Sequence, residues 1–171
     1  RMITGEAEFS EVFLRGVRVP QSCRLGAEGQ GHAIVSSALV DERSGIATAI
    51  HFDRALEALL ETARARGLGR DPIWRQRIAE LATRARIMRA MGLRVLSDQL
   101  QGRFNPHTSA ALKCIATQYT QAFSEAGIEM LGAHGALLDP AALPPGGIDW
   151  AYRYLLDRSY TIAGGTSEIL R

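Results

Sequence analysis

Apolar side chains recur at the three- and four-residue spacing of an amphipathic helix over most of the chain. This pattern predicts three long helices, over about 30–66, 72–101 and 108–131, and a short one over 149–160. Glycine or proline stands in every break between them, and both residue types end helices. Four helices joined by short connections favour an antiparallel four-helix bundle, so we predict an all-α fold.

The beginning of the chain follows a different pattern. Between Ala7 and Pro20, β-branched and aromatic residues cluster around Gly16, which predicts one or two short β-strands. A glycine-rich stretch from Gly26 to Gly31 then leads into the first helix. We therefore expect the helical bundle to be preceded by a short β-strand segment.

The charge balance does not indicate a polyanionic partner. The chain has 20 basic and 18 acidic residues, for a net charge of +2, so nucleic-acid binding is not expected. Aromatic residues do not interleave with the arginines of the second long helix, which we interpret as a solvated or subunit-facing surface. These arginines are Arg75, Arg77, Arg84, Arg86, Arg89 and Arg94.

The cysteines and the hydrophobic runs narrow the cellular setting. Cys23 and Cys114 are isolated and lack the spacing of a metal or redox site, which predicts reduced thiols, no metal centre and a cytoplasmic protein. No run of about 18 apolar residues is present, so no membrane span is predicted.

Three short stretches carry residues typical of ligand sites. Gly164-Gly165-Thr166 combines a backbone that can approach a ligand closely with a helix N-cap, but it offers no carboxylate. Asp41-Glu42-Arg43 occupies consecutive helix positions, so at least one of the three should point inward or into a cleft; the alternative is a surface charge cluster. Residues 128–135 place two glycines at a helix end, which an ordinary C-cap would also explain.

Taken in order, these stretches resemble the carboxyl-terminal part of the acyl-CoA dehydrogenase family. Residues 9–20 resemble the last strands of that family's middle β-domain, and residues 25–31 its entry into the first bundle helix. Leu-Gly-Ala-His-Gly at 131–135 resembles its Gln-x-x-Gly-Gly-x-Gly flavin segment. Gly-Thr-Ser-Glu-Ile at 165–169 resembles its Glu-Gly-Thr-x-x-Ile tail.

The resemblance implies flavin-dependent α,β-dehydrogenation of an acyl-CoA thioester. In that family a glutamate removes the α-proton and FAD takes the β-hydride. In many members the glutamate directly precedes the Gly-Thr of the tail, where this chain has Gly164. A minority of members carries it on the first bundle helix, just before an arginine, and Glu42-Arg43 matches that pattern. Glu42 is therefore the implied catalytic base, with Arg43 orienting it.

The same resemblance implies a substrate site and a cofactor site. The acyl-CoA pocket would be lined by Val40, Asp41, Glu42, Arg43 and Gly165. FAD would be contacted by Glu129, Met130, Leu131, Gly132, Ala133, Thr166, Ser167 and Glu168. Glu129 stands where the family carries glutamine, and Ala133 replaces a glycine.

The resemblance also implies how the chain is organised and what it works with. Residues 1–25 would be the tail end of the middle β-domain and residues 26–171 the bundle domain, through which the protein would form homo- or hetero-oligomers. An electron-transfer flavoprotein or a similar acceptor would receive the electrons. Since the amino-terminal helical domain and most of the β-domain are absent, these residues alone are expected to hold flavin poorly and show little activity.

Two other functions remain open at this point. One is a related flavoenzyme on the same scaffold, an acyl-CoA oxidase or a flavin monooxygenase. The other is a non-catalytic partner subunit that completes the FAD site of another chain.

Overall fold

The structure, a computed structural model, shows an all-α protein. It describes residues 1–42, 46–103, 105–136 and 148–170, and within these it gives only the helix path for 39–42 and 46–51. The helices are α1 (Gly31–Glu42), α2 (Ile46–Ala65), α3 (Pro72–Leu100), α4 (Pro106–Leu131), α5 (Trp150–Tyr160) and α6 (Ser167–Leu170). Short 3₁₀ turns cover Gln21–Cys23, Leu68–Arg70 and Gly132–Ala136.

The predicted helices and the all-α fold class are confirmed. The first predicted helix corresponds to α1 and α2 together, and residues 43–45 between them lie outside the described residues. An aspartate or asparagine side chain caps the start of α3, α4 and α5. Asp71 accepts hydrogen bonds from two amides of α3, Asn105 from one of α4 and Asp149 from one of α5. These caps explain why each helix begins where the sequence predicts.

The α4 helix lies at the centre of the bundle, because each of the other five α-helices contacts it. A chain of aromatic rings joins three helices across this core. Phe52 of α2 lies 4.9 Å from Tyr119 of α4, which lies 5.6 Å from Phe123, and Phe123 lies 5.4 Å from Trp150 of α5. Ring pairs at these separations stabilise the contact beyond simple burial.

The predicted strands are not formed among the described residues. Residues 7–20 run without regular secondary structure, and Phe9 and Phe13 are 84% and 71% exposed. A strand needs a neighbouring strand to pair its backbone groups, and no described segment supplies one. The start of the chain is held to the bundle by the Tyr152 hydroxyl, which donates to the Glu6 carboxylate at 2.8 Å. The division at residue 25 stays a prediction.

Two features are absent from the described part of the chain. No helix there is long and apolar enough to cross a membrane. Nor do the described residues bring together three or more side chains that could bind a metal ion.

A tight contact between Trp150 and Gly127 sets the position of α5. A Cβ atom built on Gly127 would lie 2.0 Å from the Cε3 atom of the Trp150 ring, far inside van der Waals contact. Both residues are buried, so neither side has room to move away. Only glycine at position 127 permits this packing.

We expect Gly127→Ala to lower the free energy of unfolding by about 2 kcal/mol, because the added methyl group overpacks the core. Alanine favours a helix by about 1 kcal/mol over glycine, and the clash outweighs that gain. Denaturant unfolding followed by tryptophan fluorescence measures the change. Gly69→Ala is the matched control, since a Cβ there meets nothing within 4 Å. Equal stability of the two variants would contradict the packing of Trp150 on α4.

A buried carboxyl group lies in the same contact between α4 and α5. Asp157 is 1% exposed, and the Nε of Arg153 lies 3.8 Å from its Oδ2, which has no hydrogen-bond partner among the described residues. Burial raises the pKa of Asp157, although Arg153, the Ser124 hydroxyl and Arg158 favour the charged form. The folded protein therefore binds the proton of Asp157 more tightly than the unfolded chain does.

We expect Asp157→Asn to flatten the pH dependence of stability. The unfolded pKa of an aspartate is about 3.9, so stability from this group is lost as the pH rises from there through the higher folded pKa. The variant should therefore gain stability relative to the wild type between about pH 4 and pH 7. Unfolding free energies at a series of pH values measure this gain. Glu57→Gln, at an exposed position on α2, is the control. The expectation is wrong if the difference in unfolding free energy between Asp157→Asn and the wild type is as constant with pH as the difference for this control.

Candidate functional site

The predicted catalytic base, Glu42, is the last residue of α1. The backbone of α1 ends at Glu42, and α1 packs against α4. The side chains of Val40, Asp41 and Glu42 are outside what the structure describes, and Arg43 lies outside the described residues. Their roles as substrate-binding and catalytic residues stay predictions.

The Gly164-Gly165-Thr166 turn connects α5 to α6 through a left-handed backbone. Gly164 has φ +66° and Gly165 φ +106°, values that glycine adopts without strain. A Cβ on Gly164 would meet nothing within 4 Å, so this position is a glycine for its backbone angle and not for lack of space. The Thr166 hydroxyl accepts a hydrogen bond from the amide of Ile169 at 3.4 Å, and Ser167 is buried.

Lys113 fixes this turn and was not singled out from the sequence. Its Nζ donates to the carbonyl oxygen of Gly165 at 2.5 Å, from the first half of α4. The sequence offers one feature that could have drawn attention to it, since Lys113 is the only lysine among the 20 basic residues of the chain.

The second predicted cofactor segment lies at the C-terminus of α4. Met130 is 5% exposed and Leu131 packs against the core, so these two can offer a ligand only their backbone. Gly132 ends the helix with φ +59°, and its amide bonds to the carbonyl of Glu129. Gly132 and Ala133 are exposed, and a Cβ on Gly132 would meet nothing within 4 Å. An open stretch of backbone therefore follows the helix.

Glu129 at the head of this segment is held by a cation from α3. Both terminal nitrogens of Arg77 donate to its carboxylate, Nη1 to Oε2 and Nη2 to Oε1 at 3.2 Å. The guanidinium of Arg77 also lies over the ring of Trp74, 4.9 Å from its centroid. This pairing lowers the pKa of Glu129 and raises that of Arg77. Glu129 is thus a charged carboxylate whose charge is matched.

The structure does not bring the two cofactor segments of one chain together. The turn is held at Lys113, and the other segment begins at Glu129, sixteen positions later on the same straight helix. At 1.5 Å per residue these points are about 24 Å apart along α4. A ligand that touches both segments in one chain would have to extend along most of this helix.

Comparisons with known proteins give these features a context. The model of the family domain described as "Acyl-CoA dehydrogenase, C-terminal domain" matches residues 29–171. Acyl-CoA dehydrogenase IpdE1 of Mycobacterium tuberculosis is 31% identical over 172 residues, which cover 99% of this chain and 43% of that protein. Acyl-CoA dehydrogenase FadE34 of the same organism is 31% identical over 170 residues, 99% of this chain and 22% of that protein.

A solved structure shows the same helical arrangement. A variant of the Tcur3481-Tcur3483 steroid ACAD superimposes with a TM-score of 0.77 at 25% identity, covering 93% of this chain and 42% of that one. The chain thus spans less than half the length of these relatives. Because the family model covers nearly all of the bundle, the chain belongs to the acyl-CoA dehydrogenase family and corresponds to its C-terminal domain.

Proposed function

We propose that the full-length protein carrying this chain is an FAD-dependent acyl-CoA dehydrogenase, in which Glu42 removes the α-proton of an acyl-CoA thioester. One observation carries the assignment of the base. The tail turn of this family member presents Gly164 where most of its relatives are expected to present glutamate, while Glu42 ends α1 and is followed in the sequence by Arg43. A dehydrogenation of this kind needs a positioned base, and the turn cannot supply one.

The described residues fit a flavin dinucleotide at the end of α4. Gly132 and Ala133 leave backbone open to an extended ligand, and Arg77 offsets the negative charge of Glu129. We assign the cofactor contacts to Glu129–Ala133 and to Thr166–Glu168, with Met130 and Leu131 contributing only backbone. When bound, FAD supplies the acceptor for the hydride from the β-carbon.

The turn at Gly164 would serve the substrate by leaving space and by keeping its shape. A Cβ at Gly164 would meet no described atom within 4 Å, so the described residues leave space on this side of the turn. Lys113 holds the Gly165 carbonyl and thereby limits movement of the backbone next to Thr166. In this proposal Glu42 reaches the substrate through that open space, and Arg43 keeps its carboxylate charged and oriented.

The distance between the two cofactor segments supports a site shared between subunits. About 24 Å of helix separates Glu129 from Lys113 and the turn that it holds. A cofactor bound where two bundles meet could contact residues 129–133 of one chain and residues 166–168 of another. The proposal therefore includes a homo- or hetero-oligomer formed through the bundle, and an electron-transfer flavoprotein or similar acceptor as redox partner.

The substrate class and the location complete the proposal. The similar structure is named as a steroid ACAD, so a steroid-derived acyl-CoA should be assayed beside a straight-chain one. Cys23 and Cys114 are both free thiols, in keeping with a cytoplasmic location.

We expect Glu42→Gln in the full-length protein, with its partner subunit where it has one, to keep FAD bound but to lose acyl-CoA-dependent bleaching of the flavin. Loss of a general base should slow bleaching by at least about 100-fold. Stopped-flow absorbance measures the rate, and the flavin-to-protein ratio measures retention. If Asp41→Asn loses this bleaching while Glu42→Gln bleaches normally, the base is Asp41 and not Glu42. Normal bleaching in both variants would refute a base on α1.

A carboxylate moved to the turn should partly replace the one lost from α1. In a Glu42→Gln background, we expect Gly164→Glu to recover measurable bleaching, because position 164 has open space and precedes Gly-Thr. The left-handed backbone should cost about 1 to 2 kcal/mol of stability. Gly164→Gln in the same background is the matched control, with equal size and no base. Equal rates in the two double variants, both still flavin-loaded, would count against an active site at this turn.

A further inference from the structure

We propose that Arg77 is a charge-compensating positioning residue of the cofactor site. By holding both carboxylate oxygens of Glu129, it allows an acidic residue to stand at the head of a segment that binds an anionic dinucleotide. This inference rests on the proposed function, because it takes residues 129–133 to lie beside the phosphate groups of FAD. It adds a residue of α3 to a site otherwise built from the end of α4 and the tail.

The geometry of the pair favours a fixed arrangement. The guanidinium makes two hydrogen bonds to the Glu129 carboxylate and is supported from its other side by the ring of Trp74. Two parallel bonds of this kind determine the orientation of both side chains. Both Glu129 oxygens are therefore turned toward α3. About half of the Glu129 side chain is exposed, so the pair lies at the surface where a ligand could approach.

The electrostatic need for this pair follows from the position of Glu129. Glu129 and Gly132 are three positions apart in the sequence. Positions with this spacing at the surface of a helix lie about 5 to 6 Å from each other. A phosphate lying beside Gly132 would be close to the carboxylate, and two like charges at that range repel. Since Arg77 cancels the charge of Glu129, the segment has no net repulsion toward an anion.

The other carboxylates that act on Arg77 are held by different cations. The neighbouring carboxylates already have theirs: Glu125 accepts from Arg158 at 2.7 Å, and Glu80 pairs with Arg84. In the described part of the chain, Arg77 is the cation hydrogen-bonded to Glu129. Removing Arg77 would therefore leave an unmatched negative charge at the head of the segment.

A double-mutant cycle on the full-length apoprotein, with any partner subunit present, tests the inference. We expect Arg77→Ala to weaken FAD binding by about tenfold, through the unmatched carboxylate. Adding Glu129→Gln should restore the dissociation constant to within about threefold of the wild type, since both charges are then gone. Quenching of flavin fluorescence on binding gives each dissociation constant. Thermal unfolding of the apoproteins, measured in parallel, reports any structural damage.

Two further measurements separate charge compensation from a merely structural role. The loss of affinity in Arg77→Ala should shrink in about 1 M salt, where the screening length is about 3 Å. Arg77→Lys, which keeps the charge, should bind FAD within a few fold of the wild type. Arg84→Ala removes an exposed ion pair farther along α3 and should leave FAD affinity unchanged.

The outcomes distinguish this inference from the function on which it rests. A wild-type protein that binds no FAD overturns both. Wild-type binding that Arg77→Ala does not weaken, or a defect that Glu129→Gln fails to rescue, overturns only the role of Arg77. Rescue together with salt sensitivity supports it.

Discussion

The contact of Trp150 with Gly127 is the constraint on which the arrangement of the site depends. It sets how closely α5 approaches the central helix α4, and every residue after α5 follows from that approach. Next to it, Arg158 bonds to Gln121 at 3.2 Å and to Glu125 at 2.7 Å, so polar bonds continue the same interface on its exposed side. The tail turn then returns to α4, where Lys113 holds it. Packing far from the turn thus determines where the turn can lie.

The central position of α4 is consistent with the proposal that the site is completed by a second chain. A helix buried on most sides can offer a ligand only its ends and its few exposed positions. The end at Gly132 and the region around Lys113 both meet this condition, but they are separated by most of the helix length. Two chains that place these regions side by side would join what a single chain keeps apart. Association through the bundle is then part of the binding site and not only a means of stabilisation.

Most of the fold could be predicted from local sequence patterns, whereas the features that depend on long-range contacts could not. The caps at Asp71 and Asn105 are short-range signals, and the helices begin beside them. The strands expected before Pro20 depend on a partner that no described segment supplies, so propensity alone was misleading. Likewise, the bonds of Lys113 and Arg77 join residues about fifty positions apart, which no periodicity within one helix can reveal.

Two departures from the family pattern are best understood together with the residues near them. At the tail, Gly164 removes a carboxylate, and the open space beside it leaves access for a base from another helix. At the end of α4, Glu129 adds a carboxylate, and Arg77 cancels its charge. In both places the charge near the ligand would be conserved although the residue that carries it has changed. In the proposed site, the total charge and the shape therefore stay the same, whereas the residues at these positions differ from the family pattern.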